Sequence, residues 1–477
     1  MTSKSEIYYK GVVDLCNLDI KAIHWYYEAL LKTDNASFAF DKVMGFDIVK
    51  DYELGFTDNF VIEVQCTKKF YIETLYPLRN NFKIVLKQTQ QTEKEDGMKL
   101  IKPQTYQRIY KGVLVNPVDM GQSTSQSSTP DNNTDPNAEK TTVTVKIQLL
   151  HPAIEYIMRS NFGGNFHGVP GDIVKGMLSK SIEMLDCKPD EKPKGVEMVP
   201  PDNQKNTTDV LIPHGTPILD LPRFVQKDRY GIYNYGLGSY LCKDTWYLYP
   251  LYQYDRYKKS DTRLTINVIP KAKIMDSPRT YHVYNRDVTI LCGGGVEVSD
   301  DANARTTNEG DGATMFDPAK LRNESVIQNE TGTYLNPVDA KKQFVQNKRT
   351  DDLNYAPMVK DRLTTSLQHA MSNIAQRNGI VLTFIWEYAN PHLLVPGMPV
   401  RVVYFKNEVK YEITGVLLKE AGAYQLVGGT NSKKHLGSVG LAVMVDQDQF
   451  NNTEKKQYQS TSSGVGKSLI KNILSIF

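Results

Sequence analysis

Only 5 of the 477 residues are cysteines, and Cys16, Cys66, Cys187, Cys242 and Cys292 lie far apart with no CxxC or CxxH pair. That spacing argues against a zinc site and against a disulfide framework, so folding in a reducing compartment is expected. The chain has no HExxH, no two histidines at i, i+4 and no GxSxG. It therefore carries no sequence mark of a zinc hydrolase or a serine nucleophile. Gly293-Gly294-Gly295 lacks the GxxxxGK[ST] and GxGxxG spacings and reads as a bulge or tight loop. The paired carboxylates Asp300-Asp301 and Asp351-Asp352 fall in polar tracts and read as solvated loop charge. No apolar run approaches the roughly 20 residues of a membrane-spanning helix, and MTSKSEIYYKG holds no apolar signal core. The expectation is a chain without a membrane anchor that folds in a cytosol, its own or a host's. Basic excess is also missing: 57 Lys and Arg face 54 Asp and Glu, a formal net charge of +3. A dedicated nucleic-acid binder would cluster far more positive charge.

What is present is an ordinary globular composition, 40% hydrophobic and 23% charged, on a length that suggests about two to four domains. Tyrosine is abundant at 28 against 3 Trp. Its apolar ring and polar tip suit half-buried strands and interfaces alike.

The N-terminal part reads mostly as β. Strand candidates are 6–16, 45–54, 60–66, 69–78, 82–90, 107–116 and 142–150, with 18–32 open to a helical reading. Phe60, Ile62 and Val64 alternate with polar residues, as do Phe82, Ile84 and Leu86, so one face is buried. Residues 119–142 are Ser/Thr/Asn/Asp/Pro-rich and read as a mobile loop. Beyond His151 the pattern turns mixed. A helix is expected over 168–185 and another near 214–236, with Thr216 as cap and Pro217 in its first turn. Lys243-Asp244 breaks the apolar run 239–253 like a hairpin turn.

The stretch 361–446 organises the rest. An amphipathic helix is expected first, with Leu363, Leu367, Ala370, Met371 and Ile374 on one stripe. Strand candidates follow at 380–388, 400–405, 410–419 and 438–446. Pro396-Gly397 has the signature of a type II turn. The C-terminal tail, 447–477, is a polar linker ending in a short amphipathic segment whose Leu469, Ile470, Ile473 and Leu474 suit docking on a partner. No residue set supports a catalytic, cofactor or metal site.

This order of elements, with the turn residues Leu394, Pro396, Gly397, Pro399 and Val400, resembles the baseplate hub proteins of contractile-tailed phages of the T-even type. It is likewise similar to the N-terminal part of type VI secretion spike proteins. The resemblance implies a mainly β fold with α+β segments and two similar tube-type barrels. They would occupy 1–155 and 255–446, the second carrying a polar insertion at about 281–360. A mixed α/β middle domain would fill 156–254, with 447–477 as linker and docking segment. It also implies a homotrimer in the virion baseplate, assembled in the host cytoplasm, that joins a six-fold tail tube to a three-fold central spike. Its partners would be that spike, tube or tube-initiator proteins and the tape-measure protein. DNA would pass through the channel without specific binding. About 30 residues follow the last strand candidate, so the spike is expected on a separate chain. Two other classes stay open: another tube or tail-tip structural protein, and a peptidoglycan- or carbohydrate-cleaving tail enzyme.

Overall fold

The structure is a computed structural model. It describes residues 3–450 apart from 18–21, 34–35, 80–81, 94–103, 116–141, 228–229, 276, 278, 391, 428–433, 447–448 and all of 299–378 except three two-residue strands. The expected loop over 119–141, the amphipathic helix of 361–378 and the docking residues Leu469, Ile470, Ile473 and Leu474 lie outside the described residues.

The fold is mainly β, as the alternation of apolar residues predicts. Twelve of the fourteen strands in its main sheet build two rings. In the N-terminal part these are β1 (Ala22–Lys32), β2 (Lys42–Asp51), β3 (Asn59–Thr67), β4 (Phe82–Glu93), β5 (Gln104–Leu114) and β6 (Thr142–Leu150). In the C-terminal part they are β7 (Arg263–Ile269), β8 (Asp287–Val298), β9 (Gly379–Glu387), β10 (Pro399–Lys406), β11 (Val409–Val427) and β12 (Lys434–Asp446).

Their pairings form two closed circuits. The first runs β1-β4-β5-β6-β3-β2-β11-β12 and returns to β1 through Trp25–His435 and Tyr26–Lys434. The second runs β7-β10-β11-β12-β9-β8 and returns to β7. Closure matters because an open edge presents unpaired backbone groups to other chains. The hairpin β11–β12 belongs to both rings. One edge of β11 pairs with β10 up to Val416 and then with β2 from Lys419. On β12, the edge that pairs with β9 over Ser438–Asp446 meets β1 at Lys434 and His435. A register shift between Leu417 and Lys419 marks the hand-over. One extra residue reverses which side chains face inward. Tyr411, Ile413 and Leu417 are buried before it, and Glu420 and Tyr424 after it.

Both rings share one continuous core. Phe60, Ile62 and Val64 on β3 meet Phe82, Ile84 and Leu86 on β4 and Val145, Ile147 and Leu149 on β6. Leu264, Ile266, Leu382, Phe384, Val400 and Val443 fill the second ring. The middle region has its own core, built from helix Pro170–Met184 and strands that include Leu237–Cys242 and Thr245–Pro250.

Several expectations need correction. Residues 6–16 read as a strand but lie in a helix, α1 (Lys4–Asn17). The stretch 18–32, open to a helical reading, contains strand β1. Thr216 and Pro217 end a strand, Thr207–Pro217, and the helix starts later, at Leu221–Lys227. The polar insertion cannot begin at 281, because Tyr281–Tyr284 and Asp287–Val298 are paired strands. Within the latter the glycine run makes a bulge between Gly293 and Glu297, where Gly294 takes φ +103°.

Candidate functional site

The place where most of the chain's unusual chemistry converges is the junction between the middle region and the two rings. Here tyrosine hydroxyls bridge the two parts. Tyr249 donates to the carbonyl of Tyr52 at 2.8 Å, Tyr252 to Glu53 Oε1 at 2.7 Å and Tyr240 to Asp58 Oδ1 at 3.0 Å. Each ring packs in the apolar core while its hydroxyl satisfies a polar group from the end of β2 or the loop behind it. Backbone contacts run beside them: Leu241 N–H donates to Phe56 O at 2.7 Å, and Thr57 bridges to Leu241.

Beneath this layer lies a buried charge cluster. Lys50 Nζ sits 2.9 Å from Glu420 Oε2, and the hydroxyl of Tyr52 donates to the other oxygen of Glu420. Burial works against the Lys50 ammonium, but Glu420, helped by Asp58, more than offsets it and holds its pKa above the ordinary lysine value. Burial pushes the Asp58 carboxyl up, against the pull of Lys50 and the Tyr240 hydrogen bond. The nearby His392 imidazole is driven well below its usual range by burial, with Lys243, Lys50 and Arg108 adding to the effect. Lys243, at φ +59° in the hairpin turn, donates to His392 O at 2.6 Å.

The sequence-derived turn sits at the same junction. Leu394 and Val400 are buried in the shared core. Gly397 takes φ +68°, and a Cβ there would lie 2.2 Å from Tyr249 Cγ. Two reasons therefore demand glycine: the backbone angle and the close approach of the aromatic ring. Arg256, almost wholly buried, donates through Nη2 to Gly397 O. Pro396, Gly397 and Pro399 also wall a cavity of ≈ 510 Å³ against Tyr247, Tyr249 and Arg256. The structure thus brings the five turn residues together. The site's other members, Lys50, Tyr52, Asp58, Tyr240 and Glu420, were not singled out from the sequence. Lys50 alternating with Ile48 and Phe46 on a buried face was the available signal.

A second cleft of ≈ 270 Å³ opens beside Asp58 and is lined by Arg108, His151, Glu191, Lys194 and Asp244. Its charges are already matched in part: Lys194 pairs with Asp244 at 2.8 Å, and Lys83 pairs with Glu191. Among the described residues no cluster of three or more His, Cys, Asp or Glu is placed to hold a metal. No helix among them is long and apolar enough to cross a membrane.

No family model matches the chain, and no curated protein matches it. Solved structures similar over most of its length include two tail- and secretion-related ones. One is a PdpA–VgrG complex from Francisella, with 9% identity and a TM-score of 0.33 over 91% of this chain. This chain spans 54% of that protein's length. The other is a 43 kDa tail protein of prophage MuSo2 from Shewanella oneidensis, with 10% identity, a TM-score of 0.40, 88% of this chain and 99% of that one. At these values neither likeness assigns the chain to a family.

Proposed function

We propose that the chain is a structural protein of a contractile tail, and that three copies form the baseplate hub between a six-fold tube and a three-fold spike. The observation that carries this reading is the shared hairpin β11–β12, which closes both strand rings. Two rings fused through one wall hold a fixed mutual orientation. Three such chains offer six ring-like surfaces on one side while keeping three-fold symmetry on the other, and closed symmetry satisfies every contact. The element order and the Leu394–Val400 turn point the same way. The partners on this reading are the spike, the tube or its initiator, and the tape-measure protein, with residues 469–474 as a docking segment. DNA passes a lumen that is neutral or acidic, since a net charge of +3 offers no surplus of cations to hold phosphate.

The test is the copy number and symmetry of this chain in an assembled particle, read by native mass spectrometry and electron-microscopic imaging. Three copies in a ring around an open channel are expected. Six copies per ring, or one copy on the tail exterior, would replace the hub with a tube or tail-tip role.

A further inference from the structure

The mouth of the first ring holds a cavity of ≈ 220 Å³. Trp25, Gln88, Arg108 and Tyr110 line it from β1, β4 and β5, while Lys243 and His392 close it from the middle region and the segment before the turn. Three observations define its chemistry. Two cations, Arg108 and Lys243, face it, and no carboxylate lines it among the described residues. Acids line the adjoining cleft, where Asp244 is paired with Lys194 and Asp58 accepts from Tyr240. The indole of Trp25 and the ring of Tyr110 supply flat apolar walls, and the exposed ring of Tyr106 marks the open side. Gln88 is 4% exposed, and among the described residues its buried amide Nε2 has no hydrogen-bond partner. That leaves one amide donor at the cavity wall for an incoming acceptor.

We propose that this barrel mouth binds a small organic anion with a flat apolar body, its acidic group held by Arg108 and Gln88 and its body stacked between Trp25 and Tyr110. Barrel mouths with apolar walls and a few convergent polar groups are a recurrent place for small-molecule sites. Lys243 donates to His392 O and adds positive charge at the cavity wall. The inference is independent of the assembly role, and its test needs no partner.

The experiment titrates the full chain with benzoate, benzyl alcohol and inorganic phosphate, following Trp fluorescence and calorimetry. Benzoate should quench saturably with one site per chain. Benzyl alcohol, which lacks the charge, and phosphate, which lacks the flat body, should each bind at least tenfold more weakly. Arg108→Gln and Gln88→Leu should each weaken benzoate at least tenfold. Trp25→Phe should abolish the quench while calorimetric binding persists. Circular dichroism melts identify any variant that fails to fold, and the three-ligand comparison on the parent then decides alone. No saturable benzoate binding, equal binding of phosphate, or parent-like affinity in folded Arg108→Gln would each overturn the site.

Discussion

Lys50 and Glu420 are 370 residues apart in the chain, yet they are register partners on β2 and β11 and their side chains meet at 2.9 Å in the buried interior. The pair stands where β11 passes from the second ring to the first. It therefore ties the N-terminal strands to the hairpin they need for closure. Cutting one member leaves the other a buried charge that has lost its ion-pair contact. Glu420→Gln or Lys50→Met should each destabilise by about 3–5 kcal/mol in denaturant unfolding. Lys50→Met/Glu420→Leu together should cost less than either single change, because an apolar pair leaves no orphan charge. Since the folded state raises the Lys50 pKa, the pair's contribution is full below the ordinary lysine value of about 10.4 and fades as pH rises beyond it. A parent that loses no stability above that pH would contradict the pairing.

Gly397 offers a sharper local test. Its φ of +68° alone makes an L side chain cost about 1–3 kcal/mol. Gly397→Val should exceed that range, because the new Cβ meets the Tyr249 ring. Thermal melting checks it: a variant that melts with the parent would mean the turn relaxes freely.

Acid should weaken the fold through two buried histidines. Burial, reinforced by Arg108, holds the His151 pKa down to about 4 despite the pull of Asp244. His392 is lowered in the same sense. Both imidazoles are neutral in the fold and take up protons more readily once unfolded, near pH 6.5. The unfolded chain thus binds more protons between those values, and stability falls as pH drops from about 6.5 towards 4. His151→Gln should flatten this part of the profile of stability against pH, and an unchanged slope would show that the histidine does not titrate there.

The strands with clean alternation were legible in the sequence because each buries one face. Phe60, Ile62 and Val64 turn inward as the pattern requires, and so do Phe82, Ile84 and Leu86. The Lys243-Asp244 turn was legible too, since two apolar runs flank it. α1 was not. Tyr8, Tyr9, Val12 and Val13 are strong strand formers, and their propensity hid the helical spacing of Tyr9, Val12, Val13 and Cys16. The far half of β11 was missed for the opposite reason. Glu420-Ala421-Gly422-Ala423 is poor in strand formers, and only pairing with β2 and β12 makes it a strand. The buried ion pair was illegible because register between strands hundreds of residues apart is a property of the fold.

α1 itself gives the last prediction. It lies against the second ring, with Tyr9, Val12, Val13 and Cys16 packed on Ile269, Ile274 and Leu291. Its N-terminal end is held by Glu408, which accepts from Ser5 N at 3.0 Å and Ser5 Oγ at 2.7 Å. Tyr8 donates to Asn267 Oδ1 at 2.6 Å, and Asn17 Nδ2 to Ser277 Oγ at 2.7 Å at the far end. Cys16 is fully buried on the inner face of the helix and its thiol is pushed up to about 12 by burial, so a thiol reagent reaches it only when α1 lifts. Glu408→Ala removes one anchor without touching the core. It should speed Cys16 labelling roughly tenfold by favouring local opening. Cys242 and Cys292, buried in the central core, should keep their parent rates. The half-buried Cys187 should react first in both proteins and serves as the internal clock. If all the buried thiols accelerate together, the change is global and α1 is part of one cooperative unit with the ring. If Cys16 keeps its parent rate, the Ser5–Glu408 contact does not hold the helix down.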